Sequence, residues 1–88
     1  MKLIIAIIQD HDTDPVSRAL TSMNFRVTLI ASTGGFLRRG SSTLLIGVED
    51  DQVEQALQVL RDTCSLTNSP DQKRATVFVL NVQKTAHI

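Results

Sequence analysis

The chain has 88 residues, 42% of them hydrophobic and 3% aromatic, with nine basic and nine acidic side chains that cancel to no net charge. That is one domain, 1–88, since domains begin at about 50 residues, and a chain so short buries only about 60–65% of its unfolded surface. Neutrality excludes a protein that wraps a nucleic-acid polymer, where a basic surface supplies most of the non-specific affinity. The lone Cys64 excludes a disulfide framework and points to the reducing cytoplasm. The apolar run 3–8 falls far short of the ~20 residues that span a bilayer. Gln9-Asp10-His11-Asp12 behind it is no signal-peptide cleavage site. The expectation is a small soluble domain with no membrane insertion.

Residues 2–9 read as a strand, rich in β-branched side chains and apolar at both parities, as a strand covered on both faces should be. Asp10-His11-Asp12-Thr13-Asp14-Pro15 then gives a turn and a helix start, with Pro15 suited to the first helical position and Asp14 or Thr13 to the cap. Val16, Ala19, Leu20 and Met23 form one helical stripe, and Asn24 can end that helix in the left-handed conformation. Residues 25–32 alternate, with Phe25, Val27, Leu29 and Ala31 on one face and Arg26, Thr28, Ile30 and Ser32 on the other.

The segment 33–41 is a loop whose three glycines allow unusual backbone conformations. A third strand, 42–49, turns Leu44, Ile46 and Val48 inward and Leu45 and Gly47 outward. Asp50-Asp51 caps a second helix, with Asp51 and Glu54 at capping-box spacing and a stripe of Val53, Ala56, Leu57 and Leu60. A polar connector, 63–74, leads to a last strand, 75–82, and a short tail. The order is βαββαβ, and Val16-Ser17-Arg18-Ala19-Leu20 echoes Val53-Glu54-Gln55-Ala56-Leu57. A duplicated unit of this kind implies an α+β, ferredoxin-like sandwich: an antiparallel sheet in the order 4-1-3-2 with both helices on one face. The other face is bare, with Leu45, Ile30 and Phe78 on it, and another subunit must cover it.

Two constellations carry binding chemistry. In the loop that includes Thr33-Gly34-Gly35-Phe36-Leu37-Arg38, exposed backbone N–H groups can hold an anion, Arg38 or Arg39 can pair a phosphate, and Phe36 offers a face to a base. The spacing is neither a Walker loop nor a dinucleotide fingerprint. A plain hairpin loop with Phe36 in the core and solvated arginines fits these residues as well. Asn24, Arg26 and Thr28 line up at alternate strand positions, where an amide, a guanidinium and a hydroxyl can read a purine edge and a phosphate; a polar outer edge fits them equally. Gly47 on the neighbouring strand leaves room for a ligand or marks a bulge. Asp10, His11, Asp12 and Asp14 sit at a helix N-terminus, where acidic residues are favoured electrostatically, and read as that rather than as metal ligands. No nucleophile-and-base order suggests an enzyme, and no cofactor is expected.

Lys2-Leu3-Ile4-Ile5-Ala6-Ile7-Ile8-Gln9-Asp10, Asn24-Phe25-Arg26-Val27-Thr28, Ala31-Ser32-Thr33-Gly34-Gly35-Phe36-Leu37-Arg38, Ile46-Gly47-Val48-Glu49-Asp50 and Ala75-Thr76-Val77-Phe78-Val79-Leu80 together resemble the cyclic-di-AMP receptor proteins. These are PII-like, homotrimeric signal-transduction proteins. The resemblance implies a PII-like fold and a cyclic di-AMP site at each subunit interface, with signalling through ordering of the glycine loop to a downstream protein that the sequence does not name. It places Asn24, Arg26 and Thr28 along the pocket, Gly35, Phe36 and Leu37 over an adenine, Gly47 against the nucleotide through its backbone, and Phe78 approaching from the sheet. The chain departs from the family's pattern in three ways. Ser41 stands where an Asn amide is usual, Thr85-Ala86-His87-Ile88 replaces the tail Phe-His-Gln-Phe, and the excursion before the last strand is cut to 63–74. Rival readings are a PII-like trimer that senses another adenine nucleotide or none, and a purely structural oligomerisation module. Acylphosphatases share the βαββαβ order, but their phosphate cradle follows the first strand, where this chain has Asp10-His11-Asp12.

Overall fold

The computed structural model describes residues 1–32, 40–64 and 75–88. Four strands, β1 (Lys2–Gln9), β2 (Arg26–Ser32), β3 (Ser41–Val48) and β4 (Ala75–Asn81), alternate with two helices, α1 (Thr13–Ser22) and α2 (Val53–Thr63). The expected α+β ferredoxin-like order βαββαβ is the order observed, and the strands lie as β2-β3-β1-β4, all pairs antiparallel. Among the described residues no helix is long and apolar enough to cross a membrane.

Parity along the two central strands sorts their side chains. Ile4, Ala6 and Ile8 of β1 and Leu44, Ile46 and Val48 of β3 are buried, together with Val16 and Leu20 of α1 and Ala56 and Leu60 of α2. That is the core, and it lies wholly between the sheet and the helices. Leu3, Ile5, Ile7, Leu45 and Gly47 have the opposite parity and are only half-buried. On β4 the open-face residues Phe78 and Leu80 are 51% and 46% exposed.

Both helix starts differ in detail from expectation. A 3-10 turn, Asp10–Asp12, precedes α1, so the helix begins at Thr13 and Pro15 is its third residue. The first helical N–H groups have no intrahelical acceptor, which is why proline is as acceptable there as at the first position. The second helix is entered through a 3-10 turn, Asp50–Gln52, and its capping box is Glu49 with Gln52, not Asp51 with Glu54; the Glu49 N–H donates to Gln52 Oε1 at 3.1 Å.

The end of α1 is as expected. Asn24 has φ 67°, its N–H donates to the Thr21 carbonyl at 2.9 Å, and the Phe25 N–H donates to the Leu20 carbonyl at 3.1 Å. This pair of bonds is a Schellman motif, closed by its usual apolar contact between the flanking residues, here the buried Leu20 and Phe25. The alternation expected through residue 32 stops earlier. Leu29 pairs with Leu44 but Ala31 pairs with Thr43, so Ile30 is one residue too many and β2 carries a bulge. A bulge in an edge strand twists it and blunts it against unwanted pairing.

A buried polar node ties β1, α1 and β3 together. Ser42 is fully buried, accepts a hydrogen bond from the Thr13 hydroxyl at 2.6 Å and donates to Asp10 Oδ1, while the Asp10 N–H donates to the Gly40 carbonyl at 3.0 Å. Thr13 therefore serves the sheet instead of capping its helix.

Two stability measurements check these readings. Asn24→Val puts a β-branched residue at φ 67° and is expected to cost about 1–2 kcal/mol, a Tm loss of roughly 4–16 °C for a domain of this size, whereas Asn24→Gly should leave Tm unchanged or slightly higher. Ser42→Ala removes both hydroxyl hydrogen bonds from a dry site and should cost about 1–3 kcal/mol, with faster amide exchange at Asp10.

Candidate functional site

The bare sheet face is organised in rows that follow from the strand registers. One row runs Arg26, Gly47, Leu3, Leu80; the next runs Thr28, Leu45, Ile5, Phe78. Beyond them Thr43, Ile7 and Thr76 share a level, and at the far end Ser41 faces Gln9. The face is thus apolar in the middle, with Arg26 and Thr28 along the β2 edge and Gln9 and Ser41 at one end.

Arg26, Thr28, Ser41, Gly47 and Phe78, five of the residues singled out from the sequence, fall on this one face. Asn24 is displaced from the row. It precedes β2 and holds the left-handed cap of α1, so the strand alternation that aligned it with Arg26 and Thr28 does not apply to it. Gly34, Gly35, Phe36, Leu37 and Arg38 lie outside the described residues. Phe78 shares a row with Thr28, but β3 and β1 stand between them. Three steps of strand spacing put their backbones about 14 Å apart. A single copy therefore does not bring Phe78 to a small ligand held at Thr28 and Arg26.

Gly47 is a glycine for neither of the usual internal reasons. No described glycine has a positive φ, and a Cβ at Gly47 would meet Met1 Cε at 3.5 Å, an ordinary contact. Its missing side chain leaves the open face without a Cβ between Arg26 and Leu3. The Met1 side chain reaches this spot, and the Met1 ammonium lies 2.9 Å from Asp50, whose carboxyl its hydrogen bond and charge lower below the ordinary value.

The opposite end of the face rests on the node described above. Gly40, Ser41 and Ser42 are held on β1 and α1 by the Asp10 and Thr13 bonds, so the end of the face carrying Ser41 is rigidly placed. The sequence pattern gave no warning of this node, because only the antiparallel register brings Ser42 to Asp10. On the helix side, a groove of about 340 Å³ runs between α2 and β4, lined by Leu57, Leu60, Arg61, Ala75, Val77 and Val79. It shares none of the candidate residues. Among the described residues no three His, Cys, Asp or Glu side chains come together as a metal set, and the acidic stretch behaves as a helix start: Asp12 is buried at the head of α1 with His11 Nε2 3.6 Å away.

Comparison with known proteins agrees with this fold. A solved structure of a protein from Pediococcus pentosaceus ATCC 25745, described as functionally unknown, superposes with a TM-score of 0.77 at 33% identity, covering 99% of this chain and 96% of the other. The family model of the cyclic-di-AMP receptor matches residues 1–70, which take in β1, α1, β2, β3 and α2. On that match, over most of its length, the chain belongs to the cyclic-di-AMP receptor family.

Proposed function

We propose that the protein is a homotrimeric cytoplasmic sensor that binds cyclic di-AMP between subunits and performs no chemistry of its own. Family membership implies the ligand. The intersubunit location is supported by one observation: the open face puts Arg26, Thr28 and Gly47 at one edge and Phe78 across the sheet. Two copies meeting through their open faces can bring the Phe78 of one to the Arg26 of the other, and the same contact covers Leu45, Ile5, Leu3 and Leu80. A trimer is the assembly that the resemblance implies. In this reading the Arg26 guanidinium pairs a phosphate of the ligand, Thr28 adds a hydroxyl, and the low spot at Gly47 admits the nucleotide to the backbone. The stretch 34–38, with Asn24 and Ser41, completes the proposed contacts. Signalling to a downstream protein follows if the ligand prefers one of two conformations of the 33–41 segment, because only differential affinity moves such an equilibrium.

A second reading, a trimer tuned to a different adenine nucleotide, is favoured by Ser41, whose hydroxyl cannot offer the paired donor and acceptor of an amide.

Calorimetric titration with cyclic di-AMP, cyclic di-GMP, ATP and AMP separates these readings, and sedimentation equilibrium at three times the chain mass supports the trimer. Arg26→Ala should weaken cyclic di-AMP binding roughly 10- to 100-fold, as loss of a charge-assisted hydrogen bond requires, with the oligomer intact; unchanged affinity sinks the assignment. Gly47→Ala should raise stability by about 0.4–1 kcal/mol, since its backbone is compatible with alanine, while lowering affinity. A variant that is less stable and binds as well as the parent would show that Gly47 serves the fold instead.

A further inference from the structure

We infer that Gln9 reads the base edge of the bound nucleotide, an assignment that rests on the functional reading above and names a contact absent from it. An adenine presents a donor, its amino group, beside an acceptor ring nitrogen, and a carboxamide is the neutral side chain with the matching acceptor and donor. The sequence offers Asn24 for that task, but Asn24 sits outside the strand row at the cap of α1. Ser41 has only a hydroxyl. Among the described residues the sheet carries two carboxamides, Gln9 and Asn81. Asn81 lies level with Lys2, on the helix side by parity, and accepts a hydrogen bond from the Lys2 ammonium. Gln9 is then the one carboxamide on the open face.

Its surroundings suit the role. Gln9 is directly opposite Ser41 in the β1–β3 ladder, and side chains facing each other in an antiparallel pair have Cβ atoms about 4.5–5.5 Å apart. The Gln9 amide and the Ser41 side chain therefore lie side by side on the open face, with the amide supplying both an acceptor and a donor. The Gln9 side chain is half-buried and makes no hydrogen bond with the described residues. Both chain segments that carry the pair are fixed: Asp10 follows Gln9 and binds Gly40 and Ser42, the two neighbours of Ser41. The pair is thus preorganised, which cuts the ordering cost of binding. Six residues of strand separate the Gly47 level, where Arg26 lies, from the Ser41 level, about 20 Å along the strands. A ligand touching both ends must be elongated, which fits a molecule with two bases flanking a phosphodiester ring and not a mononucleotide.

The experiment is calorimetry with cyclic di-AMP and cyclic di-GMP on the full chain, its Gln9→Met variant and the double variant Gln9→Met with Ser41→Asn, alongside thermal melts. Methionine keeps the volume and removes both hydrogen-bonding functions. Cyclic di-AMP affinity is expected to fall roughly tenfold or more, as loss of a bidentate base contact implies, with Tm unchanged and with the preference over cyclic di-GMP reduced. The double variant, which moves the amide across the ladder, should recover part of both. Should Gln9→Met melt early, Gln9→Glu, which keeps an acceptor and loses the donor, takes its place with the same expectation. Parental affinity in Gln9→Met, or an equal loss for both dinucleotides, overturns the assignment of Gln9 alone. A parent chain that binds neither dinucleotide overturns the functional reading and this contact with it.

Discussion

The pairing of β1 with β3 is the constraint on which the rest of the structure hangs. Eight residue pairs run from Lys2 with Val48 to Gln9 with Ser41 without a break. β2 and β4 each attach to one side of this ladder, and each helix is entered from the end of one of its two strands. The register decides which residues meet the helices and which form the open face. A slip of one residue would exchange Ile4, Ala6 and Ile8 for Leu3, Ile5 and Ile7, because side chains alternate with a period of two. On β3 the same slip would turn Ser42 out of the core and replace Gly47 by a residue with a side chain. The ladder is held at the Ser41 end by hydrogen bonds from Asp10 and Thr13, so the register is set by specific polar contacts as well as by apolar packing.

The fold was legible in the sequence because its signals are local. The run 2–9, the stripe Val16, Leu20 and the stripe Ala56, Leu60 each declare one element by their own period, and Asn24 marks a helix end by its tolerance of positive φ. What was illegible depended on pairs distant in sequence. The bulge at Ile30 is a mismatch between β2 and β3, and nothing within β2 announces it, since Ile30 and Ala31 continue an apolar run. The capping box moved from Asp51 and Glu54 to Glu49 and Gln52 because the chain turns into 3-10 geometry before it turns into an α-helix, and both pairs have the same spacing. The candidate site was legible by composition and less so by place. Arg26, Thr28 and Gly47 fall together as their parities require, but Asn24 cannot be both the left-handed end of α1 and a strand residue in line with Arg26. Gln9 shows the reverse: its parity is plain in the sequence, and its partner Ser41 emerges only from the register.

Electroneutrality has a spatial counterpart. The acidic residues Asp10, Asp12, Asp14, Glu49, Asp50 and Asp51 gather in the two helix starts, where the N-terminal ends of the helices favour negative charge. Arg26 stands apart from them on the open face of β2. A chain with no net charge can therefore still offer a cation to a phosphate. The middle of that face is apolar, and a guanidinium near a low-polarity surface interacts more strongly with an anion than one in bulk water.

The bare face has a consequence for assembly. A single layer of helices covers one side of the sheet, and the other side exposes Phe78 and Leu80 beside the half-buried Leu3, Ile5 and Leu45. In the reading proposed here, the surface that completes the fold by assembly is also the surface that receives the ligand. Ligand binding and subunit association are then linked equilibria: a nucleotide that contacts Arg26 of one copy and Phe78 of another binds only the assembled form, and it stabilises that form by mass action in proportion to the logarithm of its concentration above Kd. The same linkage runs in reverse: a change in the apolar contact that depopulates the assembled form lowers the apparent nucleotide affinity in proportion to the fraction lost.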